Sequence, residues 1–324
     1  MSSSTVIHIG YPKAASSTLQ KKVFREHSEI NYLGPNTIPP SNPCFPFKEP
    51  GQRHLLSSAG TFWNNLISLD GIAYNEVLNL ELFNDSIQTY TSKEKINLFS
   101  HEELVNKFLL ADNALKAERL KKIFKDPKIL VVIRNQLDIM ISLYYYFNGT
   151  SLLESSPYYK KSLPFDKWME INLKHIDQGY LSAIDYYKLI SYYEKIFGFN
   201  NLNILLYEEL NLEPDKFAEK ISQFLKINEN ETKEILHSTE RLNSSKANQL
   251  STIIRRITPN ISFTKILPNK IVKFYKNKMM AIPTPKVKFS HIHYKKMREL
   301  YAESNQKLAV RFNLDLEKYS YPLK

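Results

Sequence analysis

Lys128-Ile129-Leu130-Val131-Val132-Ile133-Arg134 is the stretch on which the reading of this chain turns. Its five apolar residues run without polar alternation, the pattern of a central parallel strand buried on both faces. The run stops abruptly at Arg134, and helical periodicity resumes over Leu137–Phe147. The same arrangement recurs outward from it. Val6–Gly10 reads as a strand leading into a helix over Ser16–Phe24. Ile96–Phe99 is a second short strand, and an amphipathic helix follows over Leu115–Phe124. Leu202–Leu206 is a further strand, followed by Tyr207-Glu208-Glu209-Leu210 and a helix over Glu213–Leu225 with Pro214 at its start. Phe62–Tyr90 and the tyrosine-rich Tyr158–Phe197 read as helical, whereas Asn31–Gly51, rich in Pro, Asn and Gly, reads as a long surface loop. Strands alternating with helices predict an α/β fold, a parallel β-sheet flanked by α-helices on both faces. We expect one domain over residues 1–324, with a basic helical portion from about 246 to 324 packed on the core.

Composition narrows the function classes. Hydrophobic residues make up 43% of the 324, enough for a sizeable core and the opposite of a disordered chain. The formal net charge of +11 suits an anionic ligand, and much of it is concentrated between Lys265 and Arg298. Cys44 is the single cysteine, which excludes an intrachain disulfide and a thiolate metal cluster and fits a reducing compartment. The first residues lack the basic and apolar regions of a signal peptide, and no apolar run approaches the roughly 20 residues that span a bilayer. The expectation is a cytoplasmic protein without a transmembrane segment, for which peripheral contact with a membrane stays open.

Two constellations carry the chemistry. Gly10-Tyr11-Pro12-Lys13-Ala14-Ala15-Ser16-Ser17-Thr18-Leu19 joins the first strand to the first helix, at the strand end where α/β proteins bind ligands. Free backbone N–H groups at a helix start, the Lys13 cation and three hydroxyls together suit a phosphate. An ATP-type P-loop needs a lysine followed directly by Ser or Thr, whereas Lys13 is followed by Ala14. The second constellation is Arg134 at its strand end with Ser142 eight residues on, about two helical turns. A guanidinium fork with a hydroxyl matches phosphate geometry.

Together these segments resemble the donor-binding motifs of the sulfotransferases that use 3′-phosphoadenosine 5′-phosphosulfate (PAPS). Pro12-Lys13-Ala14-Ala15-Ser16-Ser17-Thr18-Leu19 is similar to the family's Pro-Lys-x-Gly-Thr-Thr-x-Leu, and Arg134 with Ser142 is similar to its second motif. The resemblance implies a P-loop-like sheet, with Lys13, Ala14, Ala15, Ser16, Ser17 and Thr18 holding the 5′-phosphosulfate and Arg134 and Ser142 the 3′-phosphate. Tyr207–Leu210, Arg241–Lys246 and Leu308–Pro322 echo later parts of the family, the last of them its bacterial and carbohydrate-modifying members. Two departures stand out. Ala15 replaces a glycine and should disfavour a positive-φ turn there, and Gln136 replaces a common proline after Arg134.

The implied reaction is sulfuryl transfer from PAPS to a hydroxyl by in-line displacement, leaving 3′,5′-adenosine bisphosphate, with no metal required. The acceptor is expected to be a carbohydrate or glycolipid, not nucleic acid. Lys13 would neutralise the departing phosphate oxygen. The base is open between His101 and Glu102, ranked equally; Glu103 fits a capping-box role with Ser100, and Glu26, Glu29 and His54 are remoter choices. His291 and His293, two apart as on a strand, lack a third metal ligand. The rival readings are a P-loop nucleotide kinase or NTPase and a non-catalytic binder of acidic glycan or nucleic acid. Oligomeric state is not legible.

Overall fold

The computed structural model describes residues 4–34, 58–105, 112–238 and 287–324. Cys44, His54, the 241–246 segment, and most of Asn31–Gly51 and of the basic Lys265–Arg298 stretch lie outside these residues. The chain divides into two compact units, residues 1–134 with 186–240, and residues 135–185 with 241–324.

The first unit is built on five parallel strands: β1 (Thr5–His8), β2 (Ile30–Tyr32), β3 (Ile96–Ser100), β4 (Lys128–Ile133) and β5 (Leu202–Leu206), in the order β2-β3-β1-β4-β5. β1 is central, with His8 level with Ser100 of β3 and Leu130 of β4. Every residue of β3 and five of the six in β4 are buried. Successive strand side chains point to opposite faces, so both faces of these strands are covered, as the apolar run 129–133 predicts. The helices are α1 (Ser16–Lys21), α2 (Val23–Glu26), α3 (Ser58–Ser68), α4 (Glu76–Ser86) and α5 (Asn113–Ile123). After the second unit's α6–α8, the first unit resumes with α9 (Tyr186–Phe197), α10 (Tyr207–Leu212), α11 (Pro214–Leu225) and α12 (Glu229–His237). Pro214 sits in the first turn of α11, where its missing N–H costs no helical hydrogen bond.

Three local readings need correction. Ile30–Tyr32 is an edge strand, not the start of a loop; it pairs with Ile96–Leu98, a tertiary contact that outweighs the Pro- and Asn-rich flank. The helix over 16–24 is broken at Lys22, whose φ/ψ of −112/−85 is not helical. Ser100 caps nothing: its hydroxyl is buried and occupied by His8 Nδ1 at 2.8 Å and by Gln20 Nε2 at 2.9 Å.

The second unit contains α6 (Gln136–Tyr146), α7 (Phe165–Lys174), α8 (Tyr180–Ala183) and a final helix, His291–Phe312. Asn135 caps α6 by accepting from the Leu137 N–H, and its amide donates to the carbonyls of Tyr319 and Ser320 at 3.1 and 2.9 Å. Gln136 is fully buried and exchanges hydrogen bonds with Asn305, which also donates to the Pro322 carbonyl. The glutamine that replaces a proline after Arg134 therefore ties the terminal tail to α6. His291 and His293 lie in the first turn of the final helix, not on a strand, and residues two apart on a helix do not face each other.

Candidate functional site

β1 ends at His8, and residues 9–15 carry the chain into α1. Two of these residues take left-handed conformations without being glycine, Lys13 at φ 68° and Ala15 at φ 65°. Ala15 keeps the positive φ that its Cβ disfavours, so the replacement of glycine strains the loop instead of reshaping it. Ala15 is the N-cap of α1 and has no side-chain cap. Ser16 turns inward and donates to the Tyr11 carbonyl at 3.2 Å. A Cβ on Gly10 would run into Ser16 Oγ and the His8 ring, so only glycine fits there. Ser17 and Thr18 are half-buried, as is Lys13.

Arg134 follows directly on the last residue of β4, Ile133, and its guanidinium reaches this loop: Nη1 donates to the Lys13 carbonyl at 3.0 Å. Tyr207, at the start of α10, lies under the guanidinium with 4.4 Å from Cζ to the ring centre. Tyr186 donates to the Arg134 carbonyl at 2.5 Å and packs edge-on against Tyr11. Arg134 Nε is buried and has no hydrogen-bond acceptor among the described residues, so a bound anion would satisfy it. Glu209, next but one after Tyr207, is wholly buried and held by Lys220 at 2.5 Å and Lys216 at 3.4 Å, which fixes the first turn of α10.

A third strand end completes the cluster. After β3, residues 102–105 form a short 3₁₀ turn. Lys13 is shifted below the usual lysine range, first by burial and then by the positive charge of Arg134, with Glu102 opposing. Glu102 is shifted above the ordinary carboxylate value by burial and by Glu103, with Lys13 opposing. Lys13, Arg134 and Glu102 thus share one field. Two cations and one carboxylate leave a net positive site, which an anion would stabilise.

His101 differs from Glu102. Its Nδ1 accepts the Glu103 N–H at 3.2 Å, so that nitrogen carries no proton, and its ring lies 5.4 Å from that of Trp63. Burial first, and then Lys116, hold its pKa down to about 4. Below the turn, His8, Ser100 and Gln20 form a buried polar set, and Tyr32 bonds to Ser100 and feels the charge of Glu102. His8 was not legible as part of the site, because a histidine inside an apolar strand carries no distinguishing signal. Ser142 lies half-buried on α6 in the second unit.

The other carboxylates proposed as bases are engaged elsewhere: Glu26 pairs with Lys22 at 3.2 Å, and Glu29 accepts from the Asn228 N–H at 2.5 Å. His27, Glu29 and Glu231 bring one potential metal-ligand atom each within 4.8 Å of one another. Their atoms are already in use. His27 Nδ1 takes the Glu29 N–H, and Glu231 takes the Ser28 N–H and hydroxyl at 2.6 and 2.7 Å. This set fastens α2 to α12. Among the described residues, no helix is long and apolar enough to cross a membrane.

The chain is similar to known proteins in its family match and in its fold. The family model described as a sulfotransferase domain matches residues 72–301, more than two thirds of the chain, beginning after the 10–18 loop. A sulfotransferase from Alicyclobacillus acidocaldarius superposes with a TM-score of 0.50 at 14% identity, over 97% of each chain. Mouse sulfotransferase SULT7A1 complexed with PAP gives 0.47 at 15% identity, over 96% of this chain and 87% of that one. A sulfotransferase domain from the curacin biosynthetic pathway gives 0.46 at 11% identity over the whole of both. Curated protein sequences give no match. A family match of that length, on a parallel sheet whose strand ends gather Lys13, Arg134 and Glu102, makes this chain a member of the sulfotransferase family and an enzyme of sulfuryl transfer.

Proposed function

We propose that the site transfers the sulfuryl group of PAPS to a hydroxyl of a carbohydrate or glycolipid, with Lys13 and Glu102 as its working pair. One observation carries the reading: the Arg134 guanidinium donates to the Lys13 carbonyl, so both cations meet at adjoining strand ends. A nucleotide with phosphates at its 5′ and 3′ positions supplies the negative charge such a pair requires. Lys13 and the 14–18 backbone and hydroxyls take the 5′-phosphosulfate. Arg134, with its unpaired Nε, takes the 3′-phosphate. Ser142 is assigned to that phosphate on the motif alone.

The acceptor hydroxyl attacks sulfur as the bond from sulfur to the 5′-phosphate oxygen breaks. Its proton passes to Glu102, and the negative charge left on the phosphate is neutralised by Lys13. Glu102 is preferred to His101 because it shares the field of Lys13, whereas His101 spends its Nδ1 on the turn. No residue of this chain is assigned to a metal. A carbohydrate or glycolipid acceptor is favoured by the likeness of residues 308–322 to carbohydrate-modifying members of the family.

Calorimetry without metal tests the donor. 3′,5′-Adenosine bisphosphate should bind, and Arg134→Ala should weaken it about 10- to 100-fold, the loss expected for a charge-assisted phosphate contact. Tighter binding of ATP than of the bisphosphate would overturn the assignment. Turnover of radiolabelled donor against panels of sugars, glycolipids, phenols and nucleic acids tests the acceptor.

A further inference from the structure

Lys116 is a buried lysine for which the proposed reaction has no direct use. It lies on the inward face of α5, wholly inaccessible to solvent. Burying an ammonium is costly unless its donors are satisfied. Here they point at the turn after β3: Nζ donates to the Glu103 carbonyl at 2.9 Å and to Asn113 Oδ1 at 3.3 Å. The next buried cation on α5, Arg119, serves a different purpose, donating to the carbonyls of residues 65, 66, 69 and 70 at the end of α3. α5 thus spends one cation on packing and one on the turn.

That turn carries Glu102. It is short, and its fixed points among the described residues include the His101 N–H on the His8 carbonyl, the Leu104 N–H on the His101 carbonyl, the Glu103 N–H on His101 Nδ1, the Asn113 amide on the Val105 carbonyl and Lys116 on the Glu103 carbonyl. A 3₁₀ turn has poor internal hydrogen-bond geometry and holds its shape through such external anchors. From this geometry we infer that Lys116 is a positioning residue, whose ammonium grips the Glu103 carbonyl and so holds the Glu102 carboxylate in line for proton removal. The inference rests on Glu102 being the base.

Charge supports the same role. Burial draws Lys116 down to about 8, with Glu103 and Asp112 raising it and Arg119 lowering it. At neutral pH the amine is still mostly protonated and can grip the carbonyl at full strength. Its charge also helps keep the neighbouring His101 neutral, which preserves Nδ1 as the acceptor of the Glu103 N–H. Sequence alone gives only a weak hint, a lysine on the apolar stripe of an amphipathic helix.

The test is a double-mutant cycle on kcat, with donor binding as the control. Lys116→Met keeps the length of the side chain and removes the grip. In the parent enzyme it should lower kcat about 10- to 100-fold, the scale of a carboxylate displaced by a fraction of an ångström to an ångström. Affinity for 3′,5′-adenosine bisphosphate should stay within about 2-fold. In a Glu102→Gln background the same change should lower kcat by less than about 2-fold, because the group it positions is already gone. Lys116→Arg, which keeps charge and donors, should recover part of kcat. A folded Lys116→Met enzyme with full kcat overturns the inference, as does an equal loss in both backgrounds, which marks a purely structural lysine. Should Lys116→Met fail to fold, Asn113→Ala removes both the second acceptor of Lys116 and the donor to the Val105 carbonyl of the same turn, and should lower kcat about 3-fold with donor affinity kept; full kcat in that variant also counts against the role. If Glu102→Gln alone keeps full turnover, the base assignment has failed, and that result is distinct from the others.

Discussion

The loop after β1 and the turn after β3 lie at neighbouring strand ends and are built on opposite principles. Residues 10–18 hold two non-glycine residues at positive φ, begin a helix without a side-chain cap, and carry a half-buried lysine beside a second cation. Residues 101–105 are anchored from within by a histidine ring and a buried ammonium. The proposed nucleotide, with anionic groups at both its 5′ and 3′ positions, needs positive charge at its site, and Lys13 beside Arg134 supplies it at the first loop. A base needs one carboxylate held in one place, and the second spends its neighbours on holding it. The positive φ of Lys13 and Ala15 costs stability, and in the proposed function that strain falls in the donor-binding loop.

The sharpest way to break the contrast is to exchange the roles at the turn. Glu102→Gln should lower kcat by about 100-fold or more, while His101→Asn, which can still accept the Glu103 N–H, should keep turnover within about 5-fold. Single-turnover assays of the two variants decide it, and the reverse ranking would make His101 the base. Next in size is Lys13→Met, expected to cost about 100-fold in kcat through the departing phosphate oxygen. It carries a pH signature. Lys13 holds the carboxyl of Glu102 down against burial, so its removal lets that pKa rise. The base must be ionised, and the acid limb of residual activity should therefore move to higher pH. An unmoved limb would separate the two residues.

A third outcome concerns stability. His8 and His101 are held neutral by burial, with pKa values lowered from 6.5 to about 3 and about 4. The unfolded chain binds more protons than the fold between those values and 6.5, so stability falls as pH drops through that window. Thermal melts between pH 7 and pH 4 should show a loss of roughly 6 kcal/mol from the pair, on the order of 3 from each ring. His8→Gln should flatten the slope. The smallest effect is Ala15→Gly, which relieves the left-handed strain and should raise stability by about 1 kcal/mol in denaturant unfolding. A destabilised variant would mean that the methyl group packs well enough to offset that strain.

Much of this was legible from pattern. The unbroken apolar run 129–133 can be satisfied only by burial on both faces, which dictates a parallel sheet and puts Arg134 at its ligand-binding edge. Pro12–Leu19 and Arg134 are proposed as a phosphate site on residue type and position at strand ends, and the structure brings the Arg134 guanidinium onto the Lys13 carbonyl. What escaped are features that depend on partners far along the chain. The edge strand Ile30–Tyr32 exists because β3 pairs with it, and Ser100 is turned inward by His8 and Gln20. Gln136, a mere departure from a motif, holds Asn305, 169 positions away.

Local order along the chain is set by short-range sterics and by the period of apolar residues, so the sequence by itself determined four of the five strands, most of the described helices and the two cationic strand ends. The choice between His101 and Glu102 could not be made that way. Adjacent residues leave a turn in different directions, and only tertiary packing sets His101 against Trp63 with its Nδ1 on the turn and brings Glu102 into the field of Lys13, the difference on which the proposed base rests.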